Sequence, residues 1–340
     1  MKAEILTIYS INYGNRLQNY ALQEALKKIG VDVVTNRIDN DITKRKIKEI
    51  IKVLRNRYSS DYFSHFDIEN IRFRYSKKCV DSNAVDYYIA GSDQIWNPNF
   101  SFNSDREFLT FTSSEKKIAY AASIGVSELS EEQETRFKNN LSDFHAISVR
   151  EKDAADLIFS ITGKRPEVVL DPTMLLTKKE WEKVSRQSKL KVEKPFIAKY
   201  FLGIRNKEVE ERIESYAREN GCEIIDITAY NCPYVIGPAE FVYLLQNSKM
   251  NFVDSYHGTV FSILFNKPFY TFARPNEKGY GDMNSRFDTI FSLLPMKERY
   301  VVNLEDVIFS PKIDYCKINA ILEIERHKSI KFLREALGVD

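Results

Sequence analysis

The densest run of reactive side chains in the sequence is Asn251 Phe252 Val253 Asp254 Ser255 Tyr256 His257 Gly258 Thr259 Val260 Phe261. An apolar strand breaks into polar residues and re-enters an apolar helix within a few positions. The polar turn therefore lies at the carboxyl end of a strand and the amino end of a helix. Unpaired backbone N–H groups and the positive end of the helix dipole suit such a place to an anion. Gly258 would let the backbone approach a phosphate closely, and Ser255 and Thr259 add hydroxyl donors. Histidine is the side chain whose charge changes near neutral pH, so it can give or take a proton there. His257 is one of only four histidines. A helix-capping histidine is the plain alternative, but the strand–turn–glycine–helix setting makes His257 the leading catalytic candidate.

Three further groups could serve a ligand. Gly91 Ser92 Asp93 Gln94 Ile95 Trp96 Asn97 Pro98 follows a buried strand and gathers hydroxyl, carboxylate, amide and indole groups. Ser92, Gln94 and Trp96 could hold a sugar, the ring face against its C–H groups and the polar atoms at its rim, with Asp93 deprotonating a hydroxyl. A structural turn with Trp96 in the core explains the segment equally well. Ser10 to Gln18, SINYGNRLQ, offers Asn12, Asn15, Arg16 and Gln18 at a helix start. It carries the single glycine Gly14 and lacks the three-glycine dinucleotide fingerprint. Arg150, Arg205 and Arg286 each stand at a strand end or a helix start, and a planar fork of donors suits carboxylate and phosphate. Asp93, Asp171 and Asp254 are carboxylates at strand ends that could take a metal, but nothing in the sequence requires one.

These segments need a frame, and the hydropathy pattern predicts an α/β chain of alternating strands and helices. Ala3 to Tyr9 reads as a strand, Leu17 to Ile29 as a helical stripe closed by Gly30, and Val31 to Val34 as the next strand. That βαβ opening predicts a parallel sheet. The alternation resumes at Tyr87, Lys117 and His145, and again from Phe196 onward. The lysine-rich connector from Leu176 to Glu193 divides the chain. We expect a Rossmann-like domain at 1–176 on the acceptor side, a second at 194–310 on the donor side, and a long terminal helix in 311–340. A length of 340 residues suits two cores. A ligand would then lie between the two carboxyl-end faces.

Composition excludes several classes. Fifty basic residues against 48 acidic leave no field that would draw nucleic acid. No stretch reaches the roughly 20 apolar residues of a membrane span, and the first residues do not resemble a secretory signal, so a cytoplasmic protein is expected. Four scattered cysteines (Cys79, Cys222, Cys232, Cys316) form no CxxC pair and read as thiols. Residues 44–57 hold seven basic side chains against Glu49, around an apolar stripe of Ile47, Ile50, Ile51 and Leu54. A basic amphipathic helix of that kind could lie on an anionic membrane surface, or simply cover the core as a solvated helix.

In order along the chain, NYGNRLQNYAL, YYIAGSDQIWNP, YAASIG, SVRE, VLDPTML and DSYHGTVFSILFNKPF resemble segments of the polysaccharide pyruvyl transferase family. The resemblance implies two Rossmann-like domains like those of GT-B glycosyltransferases. It implies transfer of a pyruvyl group from phosphoenolpyruvate, as substrate rather than cofactor, onto a sugar to form a ketal. The sugar would belong to a polysaccharide or its precursor, possible lipid linkage included. It further implies donor-site roles for His257 and for Arg150. Where the family commonly has an arginine beside that histidine, this chain has Tyr256, which leaves Arg205 and Arg286 as candidate clamps. A nucleotide-sugar glycosyltransferase and a non-catalytic sugar-binding protein of the same fold are the alternatives.

Overall fold

The computed structural model describes residues 1–8, 12–36, 75–76, 81–100, 103–229, 232–274, 285–305 and 307–340. The basic stretch 44–57 and Cys79 lie outside the described residues. Described strands are β1 (Lys2–Leu6), β2 (Asp32–Asn36), β3 (Tyr75–Ser76), β4 (Tyr87–Asp93), β5 (Lys117–Ala122), β6 (Ala146–Val149) and β7 (Glu167–Val168), then β8 (Phe196–Tyr200), β9 (Glu223–Asp226), β10 (Asn251–Val253), β11 (Phe269–Phe272) and β12 (Tyr300–Val301). They form two sheets, ordered β3-β2-β1-β4-β5-β6-β7 and β12-β11-β10-β8-β9. Every described pairing is parallel. Strands such as β5 and β10 are buried on both faces, as a helix-covered parallel sheet requires.

The helices are α1 (Tyr13–Lys28), α2 (Glu131–Leu141), α3 (Lys152–Thr162), α4 (Lys178–Ser185), α5 (Lys207–Glu219), α6 (Pro238–Asn247), α7 (Tyr256–Leu264), α8 (Ser285–Leu293) and α9 (Tyr315–Leu337). Their ends follow local chemistry. Asn12 caps α1 by accepting from the Gly14 N–H at 2.8 Å, and Lys27 and Lys28 sit against the negative end of its dipole. Gly30, at φ +83°, then turns the chain into β2. The connector proves more ordered than its lysine content suggests: Thr177 and Glu180 form a capping box for α4, whose Trp181 and Val184 are buried.

The two lobes share one apolar core. Tyr13, Leu17 and Ala21 of α1 join Phe241 of α6 and Phe261 of α7 in a single cluster that also takes in Trp181. Tyr13 stacks on Phe241 with ring centroids 4.7 Å apart, and its hydroxyl donates to the Ile236 carbonyl at 2.9 Å. Helix α9 spans the junction, with Ile318 and Leu322 in the shared cluster and Phe332, Leu333 and Leu337 against the first sheet. This packing brings the carboxyl ends of β4 and β6 close to the start of α7. No described helix is long and apolar enough to cross a membrane.

Candidate functional site between the two sheets

In each sheet the strand order reverses next to its first strand, between β1 and β4 and between β8 and β10. Open α/β sheets present their ligand crevices at such points. At the first, β4 ends on Asp93 at φ +67°, a left-handed conformation that turns its carboxylate inward. One strand over, β5 bulges: its register with β6 shifts between Ala119 and Ala122, and Ala121 sits at φ +49°. Arg150, just past β6, extends into the space so formed. Its guanidinium donates to Asp93 Oδ1 at 3.0 Å and to Asp171 Oδ2 at 3.0 Å, and pairs with Glu151 Oε1 at 3.5 Å. Its side chain is 0% exposed.

Each carboxylate is held by further donors. Asp93 accepts from the Gln94 N–H at 2.9 Å and from the Asn15 amide. Asp171 accepts the Thr173 N–H at 2.9 Å and its hydroxyl at 2.6 Å on one oxygen, and the Ser92 hydroxyl at 3.3 Å on the other. Glu151 accepts from the Ser123 hydroxyl. The environments push these acids apart. Burial works to raise Asp171, but His257, Arg150 and Thr173 hold its carboxyl well below the ordinary range. Asp93 is likewise lowered, burial being outweighed by Arg150, His257 and Arg286. At Glu151 burial wins over Arg150 and Ser123, and its carboxyl is raised.

The second sheet supplies the opposite wall. Tyr256 and His257 are the first two residues of α7, with Ser255 as its N-cap residue. Two cations approach the Tyr256 ring, the Arg150 guanidinium 4.8 Å and that of Arg286 5.9 Å from its centroid. Burial and the neighbouring Arg150 push Arg286 down to about 10, so it remains a cation at neutral pH. His257 is buried against the first lobe, its Nε2 3.7 Å from Asp171 Oδ2. Nearby, Asp254 accepts the Leu202 and Gly203 N–H groups at 2.7 Å each and pairs with Arg274 at 3.2 Å. Beside it a cleft of about 680 Å³ opens over the carboxyl ends of β8, β11 and β12, reached by Arg274, Asn206 and Glu208. The described residues contain no cluster of three or more His, Cys, Asp or Glu able to hold a metal ion.

The structure brings His257, Asp93, Arg150 and Arg286 together, and it corrects several sequence-derived expectations. His257 lies inside the first turn of α7 rather than in a turn ahead of it, because the helix begins at Tyr256. Arg150 is surrounded by three carboxylates, each taking one of its nitrogens, and its side chain is sealed from solvent. Asp93, lowered and engaged by Arg150 and Asn15, is a weak base. Trp96 is 0% exposed, stacked on Phe108 with Phe144 edge-on, and donates its indole N–H to the Glu107 carbonyl at 2.9 Å, so no face remains for a sugar. Arg205 does not join the cluster; it pairs with Asp226 and Thr228 at the surface.

Gly258 serves packing rather than ligand approach: a Cβ there would lie 3.0 Å from Val253 Cγ1 and 3.3 Å from Tyr200 Cδ1. The Thr259 hydroxyl is used by the Ser255 carbonyl at 3.1 Å and the Thr271 hydroxyl at 2.7 Å. Ser255 is buried beside them and its side chain makes no cap hydrogen bond. Asn15, Gln18, Ser92 and Gln94 are buried, and the first three brace the site: Gln18 reaches Thr7 at 3.0 Å and the Asn15 carbonyl at 3.2 Å, and Asn12 is the α1 cap. Glu151 and Arg274 fall outside the sequence-derived candidates. The strand-end rule that selects Arg150 also selects Arg274, two residues past β11.

Among solved structures, the UDP-GlcNAc 2-epimerase of Methanocaldococcus jannaschii aligns at 11% identity and a TM-score of 0.51, over 97% of this chain and 99% of that one. A functionally uncharacterized protein of Klebsiella pneumoniae aligns at 12% identity and a TM-score of 0.49, over 89% and 93%. The E. coli heptosyltransferase WaaC aligns at 10% identity and a TM-score of 0.38, over 82% and 91%. At 11% identity the likeness to the epimerase is one of fold alone, a GT-B-like pair of parallel α/β lobes. No curated protein matches the sequence. The family model for polysaccharide pyruvyl transferase matches residues 12–276.

Proposed function

Because the chain belongs to the polysaccharide pyruvyl transferase family, we propose that it moves a pyruvyl group from phosphoenolpyruvate to a sugar of a cell-surface polysaccharide or its precursor, forming a ketal. The observation that carries this reading is the meeting of His257 and the cation Arg286 about the buried Asp93, where His257 faces Asp171 at 3.7 Å and Arg286 approaches the Tyr256 ring at 5.9 Å. As general acid, His257 gives its proton to the methylene carbon of the enol phosphate, and an oxocarbenium-like centre develops at the adjacent carbon. One sugar hydroxyl forms a C–O bond there and its proton passes to the imidazole that His257 left unprotonated. The C–O bond to phosphate breaks with the electron pair leaving on phosphate, and a second hydroxyl of the same sugar closes the ketal, its proton leaving with the phosphate. Arg286, and Arg274 nearer the second sheet, are the cations suited to the donor's carboxylate and phosphate. Arg150 instead keeps Asp93 and Asp171 in place. A lipid-linked acceptor met at the inner membrane surface from the cytoplasm fits this chemistry.

Phosphate release from phosphoenolpyruvate, measured with a sugar acceptor present, tests the proposal. His257→Asn should lower kcat by about 10²-fold or more; full turnover by that variant removes the imidazole from the mechanism. The cleft of about 680 Å³ favours one rival, a nucleotide-sugar glycosyltransferase, since it has the size and strand-end position of a nucleotide site. Phosphoenolpyruvate should raise the melting temperature and nucleoside diphosphates should not; the reverse pattern selects the rival.

A further inference from the structure

We propose that Asp171 and Gly14 are positioning residues for His257, so that the acid–base unit is assembled across the two lobes. This rests on the reading that His257 exchanges a proton with substrate. Three observations carry it. First, Nε2 of His257 is buried and makes no hydrogen bond, and the anion facing it is Asp171 Oδ2 at 3.7 Å. That distance is too long for a direct hydrogen bond, and such catalytic contacts tighten when the complex forms. Second, Asp171 cannot swing. Thr173 holds one oxygen while Arg150 and Ser92 hold the other, and its side chain is fully buried.

Third, the imidazole lies on the first turn of α1. A Cβ at Gly14 would stand 2.6 Å from the ring Cγ and 2.7 Å from Cε1, with Nδ1 closest of all. Only glycine lets the helix backbone support the ring there. The carboxylate and the support both belong to the first lobe, whereas His257 belongs to the second. Asp171 thus selects, in the neutral ring, the tautomer with the proton on Nε2, while Nδ1 packs on the first turn of α1. Parting the lobes would dismantle the unit without altering either half, which makes lobe closure a condition for proton transfer.

The test uses the full chain labelled with ¹⁵N-histidine, the His257 signals being identified by their loss in His257→Asn. At a pH where the ring is neutral, the wild type should show the Nε2–H tautomer in excess. Asp171→Asn, which keeps an oxygen for Thr173, and Gly14→Ala, which keeps every charge, should each move the ring toward a mixture. In the phosphate-release assay each should lower kcat by about 10²-fold with the KM for phosphoenolpyruvate within about threefold. An unchanged tautomer in both variants overturns the proposal, as does a loss expressed in KM alone. If the tautomer responds but the wild type turns over no phosphoenolpyruvate, the pairing stands and the proposed reaction fails.

Discussion

Replacing Arg150 by methionine should convert the most heavily braced point of the site into its weakest. The guanidinium contacts Asp93 and Asp171 at 3.0 Å and Glu151 at 3.5 Å, with its side chain sealed from solvent. Methionine keeps much of the aliphatic volume, so the cost is mainly electrostatic. Leaving a buried charge without its partner costs about 3–5 kcal/mol, and at about 2–4 °C per kcal/mol the melting temperature should drop by on the order of 10 °C.

The pH dependence gives the sharper signature. In the wild type Asp93 and Asp171 are held below their ordinary values, chiefly against burial, by Arg150 and His257. Their stabilising contribution is therefore present above the unfolded carboxylate value of about 3.9 and is lost only as pH falls through the lowered folded values. Without the guanidinium, burial dominates and the folded values rise above the unfolded ones. The variant's folded state then binds more protons than its unfolded state, so Arg150→Met should gain more stability than the wild type as pH falls from 8 toward 5, since in the wild type Glu151 is raised but Asp93 and Asp171 are lowered. Urea unfolding of both proteins at pH 8 and pH 5 reads this directly. A variant within about 1 kcal/mol of wild type at pH 8, or one that loses stability faster than wild type on acidification, would refute the assignment of Arg150 as the strut of the carboxylates.

Three other substitutions separate packing from ligand contact. Trp96→Phe should cost about 1–3 kcal/mol in urea unfolding, for the lost indole bond to the Glu107 carbonyl and the smaller ring, with the acceptor KM unchanged; a raised acceptor KM would return this ring to the site. Gly258→Ala should cost about 1–3 kcal/mol by forcing a methyl against Val253 and Tyr200, again read by unfolding. Arg205→Ala should leave stability within about 1 kcal/mol and the donor KM unchanged, since its pairs with Asp226 and Thr228 are at the surface; a weakened donor KM would place Arg205 at the phosphate.

The sequence by itself determined what depends on neighbours along the chain. The βαβ opening through β1, α1 and β2 is legible because Asn12 caps, Leu17 to Leu26 form a stripe and Gly30 ends the helix within one short segment. The same locality singled out His257, since a strand running into a polar turn and a glycine is a one-segment pattern. It misplaced the start of α7 because Tyr256 and His257 lack the apolar period by which the helix was recognised. Only the tertiary structure decided what each candidate touches. Arg150 could be seen at a strand end, but not the convergence of Asp93, Glu151 and Asp171 upon it. Trp96 could be seen beside polar groups, but not the Glu107 carbonyl that takes its N–H. Gly14 could be seen as a lone glycine, but not the imidazole lying on it. The physical reason is common to all three: helix and strand formation is settled by hydrogen bonds and periodicity within a few residues, whereas burial and charge pairing depend on which distant segments the closed lobes bring into contact.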